Sequence, residues 1–278
     1  MALLCAIFYG VNTTFSKLAY DAGTNPVSLT VYRYLFIILI LTFLVLVLRK
    51  NWKIQVPARL YLGCVLGMYL ISIGHLGAVK FIPVSLAAIV FYTFPLMVIA
   101  YKKIVSGKPV SWLEALGFVL AFTGLAIALG VELHSLNWLG VAMALSGSIG
   151  AAMFIICYEN FPPQDNPYAT TWWITLGTVV LCLTSLLWFD LQPPVETIGW
   201  VYLFLIAATT VVAFVLTLLA IELISGATFS LFLNLEPVVI LLLSWLVVGE
   251  SLTVNKVMGI SMVVAALFIS ARKPVSAN

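Results

Sequence analysis

The chain has 278 residues, of which 63% are hydrophobic and only 8% are charged, and its formal net charge is +3. Soluble domains carry about 25% charged residues, so this composition excludes a soluble globular protein and indicates an integral membrane protein. The few scattered charges also exclude a nucleic-acid-binding protein. The four cysteines lie inside apolar runs, which favours small core residues over a disulfide framework or a metal site.

Ten apolar runs of membrane-spanning length follow one another along the chain. A span needs about 20 mainly apolar residues. The runs cover roughly residues 2–20, 28–48, 58–79, 84–104, 111–131, 135–157, 168–189, 197–221, 226–248 and 254–271,. The connections between them are too short to hold a soluble catalytic domain. We therefore predict an all-α membrane protein with ten transmembrane helices.

The two halves of the chain share landmarks that are 142 residues apart. These are the pairs Pro95 and Pro237, Gly107 and Gly249, and Gly117 and Gly259. Pro95 and Pro237 are the two prolines that lie in the middle of an apolar run. We predict two repeats of five helices, residues 1–132 and 133–278. Because five is odd, the second repeat is inverted, as is common in secondary transporters.

Lysine and arginine residues cluster in connections that share one side of a ten-span chain. Such clusters mark the cytoplasmic side of a membrane protein. Both termini are therefore predicted to be cytoplasmic. The residues concerned are Arg49, Lys50, Lys53, Arg59, Lys102, Lys103, Lys108, Arg272 and Lys273.

The ninth run holds a carboxylate and a proline in its middle, Glu236 and Pro237. An ionised group at the bilayer centre costs at least about 3 kcal/mol, and proline removes a backbone hydrogen bond. The pattern predicts a watery or protein-lined space there, with Pro95 and Pro237 as paired hinges. Asn234 and Glu236 lie about 200° apart on a regular helix, so both face one narrow cavity only if the helix is distorted. Glu236 faces either that cavity or a neighbouring helix.

Further polar side chains in the runs are candidates to line a solute path. Asn12 lies in the first run, Tyr69 and His75 in the third, and Tyr92 in the fourth. An amide or imidazole in a span either binds solute or bonds helices together. A tyrosine in a span either lines a cavity or packs in the core with its hydroxyl satisfied. The sequence leaves these alternatives open.

Two basic residues, Lys17 and Arg33, lie nearer the outer ends of their runs, and we expect both to extend to the headgroups,. The sixth run is rich in small residues from Ala144 to Ala151. Small residues allow close helix contact, and they also leave volume for a cavity. Either use fits the sequence.

Several of these residues form a known pattern. The first run reads Tyr9-Gly10-Val11-Asn12 and then Lys17-Leu18-Ala19, followed by Pro26 and Arg33, while the ninth reads Leu235-Glu236-Pro237-Val238 and ends in Gly249-Glu250. The pattern resembles the EamA-type repeats of the drug/metabolite transporter superfamily. The chain departs from strict symmetry, because Phe94 and Lys108 stand where the second half has Glu236 and Glu250.

The resemblance implies a ten-helix secondary transporter with a central cavity and with peripheral fifth and tenth helices. The chain looks most like bacterial inner-membrane members that export aromatic and other hydrophobic amino acids by alternating access. Its expected partners are the amino acid and the lipid bilayer, with no cofactor, metal, nucleic acid or obligate protein partner. The alternatives are transport of another metabolite or drug, and more remotely a channel or a membrane enzyme. The substrate-binding candidates are Asn12, Tyr69, His75, Tyr92, Asn234 and Glu236.

Overall fold

The computed structural model describes residues 1–48, 52–78, 81–82, 84–106, 112–130, 137–162, 166–188, 190–243 and 253–271. Gly107, Lys108, Gly249 and Glu250, which entered the sequence predictions, lie outside these ranges. So do Arg49, Lys50, Arg272 and Lys273, and the side chain of Lys17 is likewise outside the described part.

The first half of the chain consists of helices that follow the apolar runs. They are α1 (Ala2–Asp21), α2 (Pro26–Val47), α3 (Ala58–Leu70), a π-helical turn (Ile71–His75), α4 (Leu76–Ala78), α5 (Val84–Phe91), α6 (Phe94–Ser106) and α7 (Trp112–Leu129). The second half has the same succession of long helices. They are α8 (Trp138–Glu159), α9 (Pro167–Ser185), α10 (Thr197–Leu223), α11 (Gly226–Leu233), α12 (Leu235–Leu243) and α13 (Val254–Ala271).

The predicted all-α class is confirmed for the described residues, whose regular structure is helical throughout and includes no strand. Five helical stretches there are long and apolar enough to cross a membrane, which makes the chain a multi-pass membrane protein. They are Pro26–Val47, Ala58–His75, Leu86–Val105, Trp138–Glu159 and Thr197–Leu223.

Equivalent helices in the two halves begin with the same signal. Asn25 precedes Pro26 at the start of α2, and its side chain accepts a hydrogen bond from the Ser28 amide at 2.7 Å. Asn166 precedes Pro167 at the start of α9 and caps that helix in the same way. Asparagine satisfies an otherwise unpaired amide, and proline in the first turn has no amide that needs a partner.

The main packing partners of most helices come from the other half of the chain. Helix α1 packs against α10, α3 against α8, α2 against α9, and α7 against α13. If each helix is replaced by its counterpart in the other half, the α1–α10 pair becomes the α8–α3 pair. The α2–α9 and α7–α13 pairs stay the same. This is the pattern that a two-fold relation between halves produces.

Glycines mark two of these crossings. A β-carbon at Gly150 of α8 would lie 2.7 Å from the Gly67 carbonyl oxygen of α3, and one at Gly124 of α7 would lie 2.7 Å from the Gly259 carbonyl oxygen of α13. No side chain fits at such distances, so the backbones touch directly. The small residues of the sixth run therefore serve close contact at Gly150, while Ala151 next to it lines a cavity.

Candidate functional site

A cavity lies between the two halves, and it holds about 930 Å³ of space not filled by atoms, its mouth included. Helices α7, α9 and α13 contribute none of the described lining residues. The aromatic side chains that line it are Tyr9, Tyr34, His75, Phe91, Tyr92, Phe94, Phe154 and Phe229. The other polar ones are Asn12, Ser16, Arg33, Ser72, Thr210, Thr217 and Glu236.

Two interrupted helices bring the central residues into this cavity. Helix α5 ends at Phe91 and α6 begins at Phe94, with a turn at Tyr92 and Thr93. Helix α11 ends at Leu233 and α12 begins at Leu235. Each break comes two or three residues before a mid-span proline, so Pro95 and Pro237 lie in the first turn of a new helix, where proline is tolerated. Their role as hinges stays a prediction.

Glu236 faces the cavity and also contacts the first half of the chain. The Tyr92 hydroxyl is hydrogen-bonded to the Glu236 carboxyl group. Phe94, which stands at the position related to Glu236 by 142 residues, lines the same cavity. The two alternatives for Glu236 therefore combine, since it lies at the cavity wall and pairs with a side chain from another helix.

Asn12 bonds two helices together and also lines the cavity, and its role in binding solute stays a prediction. Its amide donates a hydrogen bond to the Thr210 hydroxyl of α10 at 2.6 Å, and it lines the cavity. One turn earlier, the Tyr9 hydroxyl lies 3.2 Å from the Thr217 hydroxyl, which itself donates to the Ala213 carbonyl. Tyr9 is thus the donor. These bonds join α1 to α10 along one wall of the cavity.

His75 ends the π-helical turn and lines the cavity. Its ring centroid lies 4.2 Å from that of Phe91, and Phe91 lies against Tyr92 and Phe94 at 5.3 and 5.5 Å. The four rings form a continuous aromatic wall. Isolated π turns are rare and are often found at functional sites, and nothing in the sequence Ile71–His75 indicates one.

Arg33 is buried at 8% exposure and does not extend to the headgroups, so the expectation for this residue is wrong. Its Nη2 atom donates to the Ser72 hydroxyl at 2.9 Å, and its guanidinium carbon lies 4.9 Å from the centre of the Tyr34 ring. The reason is that the π-helical turn presents Ser72 at the depth of Arg33. The sequence alone gives no sign of that partner.

Tyr69 and Asn234 lie away from the cavity lining. Tyr69 is half-buried and packs against the hydrophobic core. The Asn234 amide donates to the Leu231 carbonyl at 3.1 Å, across the break between α11 and α12. Glu236 is among the cavity-lining residues and Asn234 is not, although the helix is interrupted at Asn234. Nothing tests the assignment of either Tyr69 or Asn234 to substrate binding, and both stay predictions.

Polar contacts join the helices just beyond one end of the cavity. Ile155 of α8 lines the cavity, and one turn further along Glu159 forms an ion pair with Lys102 of α6 at 2.6 Å. The neighbouring Tyr158 donates to Glu222 of α10 at 2.7 Å. The last turn of α8 is thereby tied to one helix from each half.

Interrupted helices that meet around a cavity lined by aromatic side chains, in a chain of membrane-spanning helices, define a multi-pass membrane protein built to hold a small solute. The sequence matches the EamA-like transporter family over residues 1–130 and 138–272. The chain therefore belongs to the EamA-like transporter family.

Relatives and a solved structure agree with this placement. The chain is 21% identical to the uncharacterized transporter YoaV of Bacillus subtilis, over 85% of this chain and 84% of that one. It is 24% identical to an uncharacterized transporter of Archaeoglobus fulgidus, over 97% of both chains. A crystal structure at 14% identity superposes with a TM-score of 0.80, over 97% of this chain and 96% of the other. That likeness concerns the fold alone.

Proposed function

We propose that this transporter is a secondary exporter of aromatic and other hydrophobic amino acids. The observation that carries the proposal is the composition of the cavity wall, in which seven phenylalanine or tyrosine rings line the same cavity as the carboxylate of Glu236. Aromatic faces offer a large apolar area with little loss of conformational entropy, and a carboxylate accepts charge-assisted hydrogen bonds from an ammonium group.

The helices form, in this proposal, ten spans in two inverted repeats, residues 1–132 and 133–278. Two observations support this arrangement. Helices of one half pack mainly against helices of the other half, and the helix breaks at Tyr92 and Asn234 are 142 residues apart. Both termini then lie in the cytoplasm of a bacterial cell, with the chain in its inner membrane. Alternating access follows from rocking of the two repeats around the cavity between them.

An organic amine without a carboxylate, such as a cationic drug, is the second candidate solute. The same wall favours it, because Glu236 and the aromatic rings would hold an apolar cation,.

The experiment that tests the proposal is transport in proteoliposomes that hold the purified protein. Radiolabelled tryptophan, phenylalanine and leucine are compared with lysine and glutamate, with and without a pH gradient, and with unlabelled solute on the far side. We expect saturable counterflow of the first three and little flux of the charged pair. Flux of 2-phenylethylamine without flux of any amino acid would instead establish the drug-type candidate.

A further inference from the structure

We propose that Arg33, which Ser72 holds in place, forms a carboxylate-binding site within the cavity, and that this site holds the carboxylate of the transported solute. The inference rests on the proposed function, since it takes the solute to be an amino acid. It adds a binding site for the carboxylate, which an amino acid has and a simple amine lacks. It also assigns a binding role to Arg33, which the sequence patterns placed elsewhere, and a positioning role to Ser72, which they passed over.

Arg33 is held in place by a small network. Ser72 accepts hydrogen bonds from Arg33 Nη2 at 2.9 Å and from the Tyr34 hydroxyl at 2.8 Å, and it donates its own proton to the Met68 carbonyl at 2.9 Å. The serine hydroxyl is therefore saturated and fixed. The Tyr34 ring beneath the guanidinium restricts its plane,.

The network leaves the charge of Arg33 uncompensated. Among the described residues no aspartate or glutamate forms an ion pair with it. Its Nε atom is buried and has no hydrogen-bond partner within the described part of the chain. A buried, permanently charged guanidinium with an unused donor is strongly unfavourable unless an anion joins it.

A carboxylate is the anion that suits the unpaired Nε donor of Arg33. The guanidinium presents parallel N–H donors in a planar fork, and that fork matches the two oxygens of a carboxylate. Arg33 is one of the residues that line the cavity, so a solute held there lies beside it.

Glu236 supplies the complementary charge on the same cavity. It comes from α12 in the second half, whereas Arg33 comes from α2 in the first. An α-amino acid carries both a carboxylate and an ammonium group, so its two charges meet one residue from each half. The aromatic wall of His75, Phe91, Tyr92 and Phe94 is then available for an apolar side chain.

Three probes that differ by one charged group test the site. Purified protein is titrated with L-phenylalanine, 3-phenylpropanoate and 2-phenylethylamine, and binding is followed by intrinsic tryptophan fluorescence. In Arg33→Gln we expect the dissociation constants of the first two to rise about tenfold or more, since charge-assisted hydrogen bonds are roughly twice as strong as neutral ones. Binding of 2-phenylethylamine should stay unchanged. The matched control is Arg59→Gln, at an exposed arginine in the first turn of α3.

Arg33→Lys separates charge from geometry and also serves if the glutamine variant does not fold. It keeps the charge and loses the fork, so it should bind both carboxylates more weakly than wild type and the amine equally well. Unchanged carboxylate binding in both variants, or an equal loss for all three probes, overturns the site. If wild type binds 3-phenylpropanoate through Arg33 yet transports no amino acid, the site stands and the proposed function falls. If wild type binds neither carboxylate, both fall.

Discussion

At the scale of the residue, the wall of the cavity is mostly apolar but carries one positively and one negatively charged side chain. Arg33 and Glu236 both line it, and each comes from a different half of the chain. Glu236 keeps one hydrogen bond to Tyr92, which is 2% exposed. A side chain so placed is held by the protein at the wall of the cavity.

Glu236→Gln should slow transport of aromatic amino acids by roughly tenfold or more. The amide keeps the shape of the side chain and can still accept a hydrogen bond from Tyr92. It loses the charge, and hydrogen bonds to charged groups contribute about 1.5–3 kcal/mol. Initial rates in proteoliposomes measure the effect. Glu196→Gln, at an exposed position that makes no capping bond at the start of α10, is the control and should transport normally.

Sequence reasoning found the polar residues of this cavity only in part. It singled out Asn12, His75, Tyr92 and Glu236, because buried polar groups in apolar runs stand out against their neighbours. It misplaced Arg33, because the distance of a residue from the end of a span does not reveal a hydrogen-bond partner on another helix. The phenylalanine side chains that line the cavity give no signal, since phenylalanine is found equally in a core and against lipid.

At the scale of the element, the cavity depends on helices that stop and restart. The breaks at Tyr92 and at Asn234 fall at positions related by the repeat. At the first break, Thr93 bonds the Val90 carbonyl at 2.7 Å and the Ser148 hydroxyl at 2.9 Å. At the second, Asn234 bonds the backbone of its own helix. The mid-span prolines predicted irregular helices, but the π-helical turn before Leu76 has no such marker.

Pro237→Ala should slow transport while leaving solute binding closer to the wild-type value. Alanine restores an amide and favours a continuous helix across Asn234, which removes the break. Pro95→Ala should act in the same direction but less strongly, because Thr93 and Ser148 still hold that turn. Counterflow rates and binding titrations on the same preparations separate the two effects. A Pro237→Ala protein with wild-type rates would show that the proline has only a packing role.

Gly150→Ala should destabilise the protein by about 1–3 kcal/mol, the usual cost of overpacking. The new methyl group would lie 2.7 Å from the Gly67 carbonyl oxygen, and α3 and α8 would have to separate. Thermal unfolding in detergent measures the change. Ile149→Ala, at a 47% exposed position of the same helix, is the control and should melt nearly as wild type does. Equal melting temperatures for both variants would contradict the direct backbone contact.

At the scale of the whole molecule, neither half has a complete core of its own. The largest packing surfaces of α1, α3, α7 and α2 are all against helices of the second half. The repeat predicted from matched prolines and glycines is consistent with this pattern. Which helices pack against each other could not be predicted from the sequence, because apolar runs of similar composition do not specify their packing partners.

Single cysteines placed at Asn51 and at Asn278, in a chain without its four native cysteines, should react with a membrane-impermeant reagent from the same side. The clustered lysines and arginines predict that side to be the cytoplasm. Labelling of intact cells and of inside-out vesicles measures the orientation of each position. Reaction from opposite sides would contradict the ten-span, inverted arrangement.

The crossing of α7 and α13 has a consequence for how the chain is made. Helix α7 ends at Leu129, and α13, whose Gly259 it touches, begins at Val254. Synthesis at 5–20 residues per second separates the two by roughly 6–25 s. During that interval the glycine-lined face of α7 has no permanent neighbour in the bilayer. Lipid or the insertion machinery must shield it, so slowed translation of the second half should raise degradation of the nascent chain.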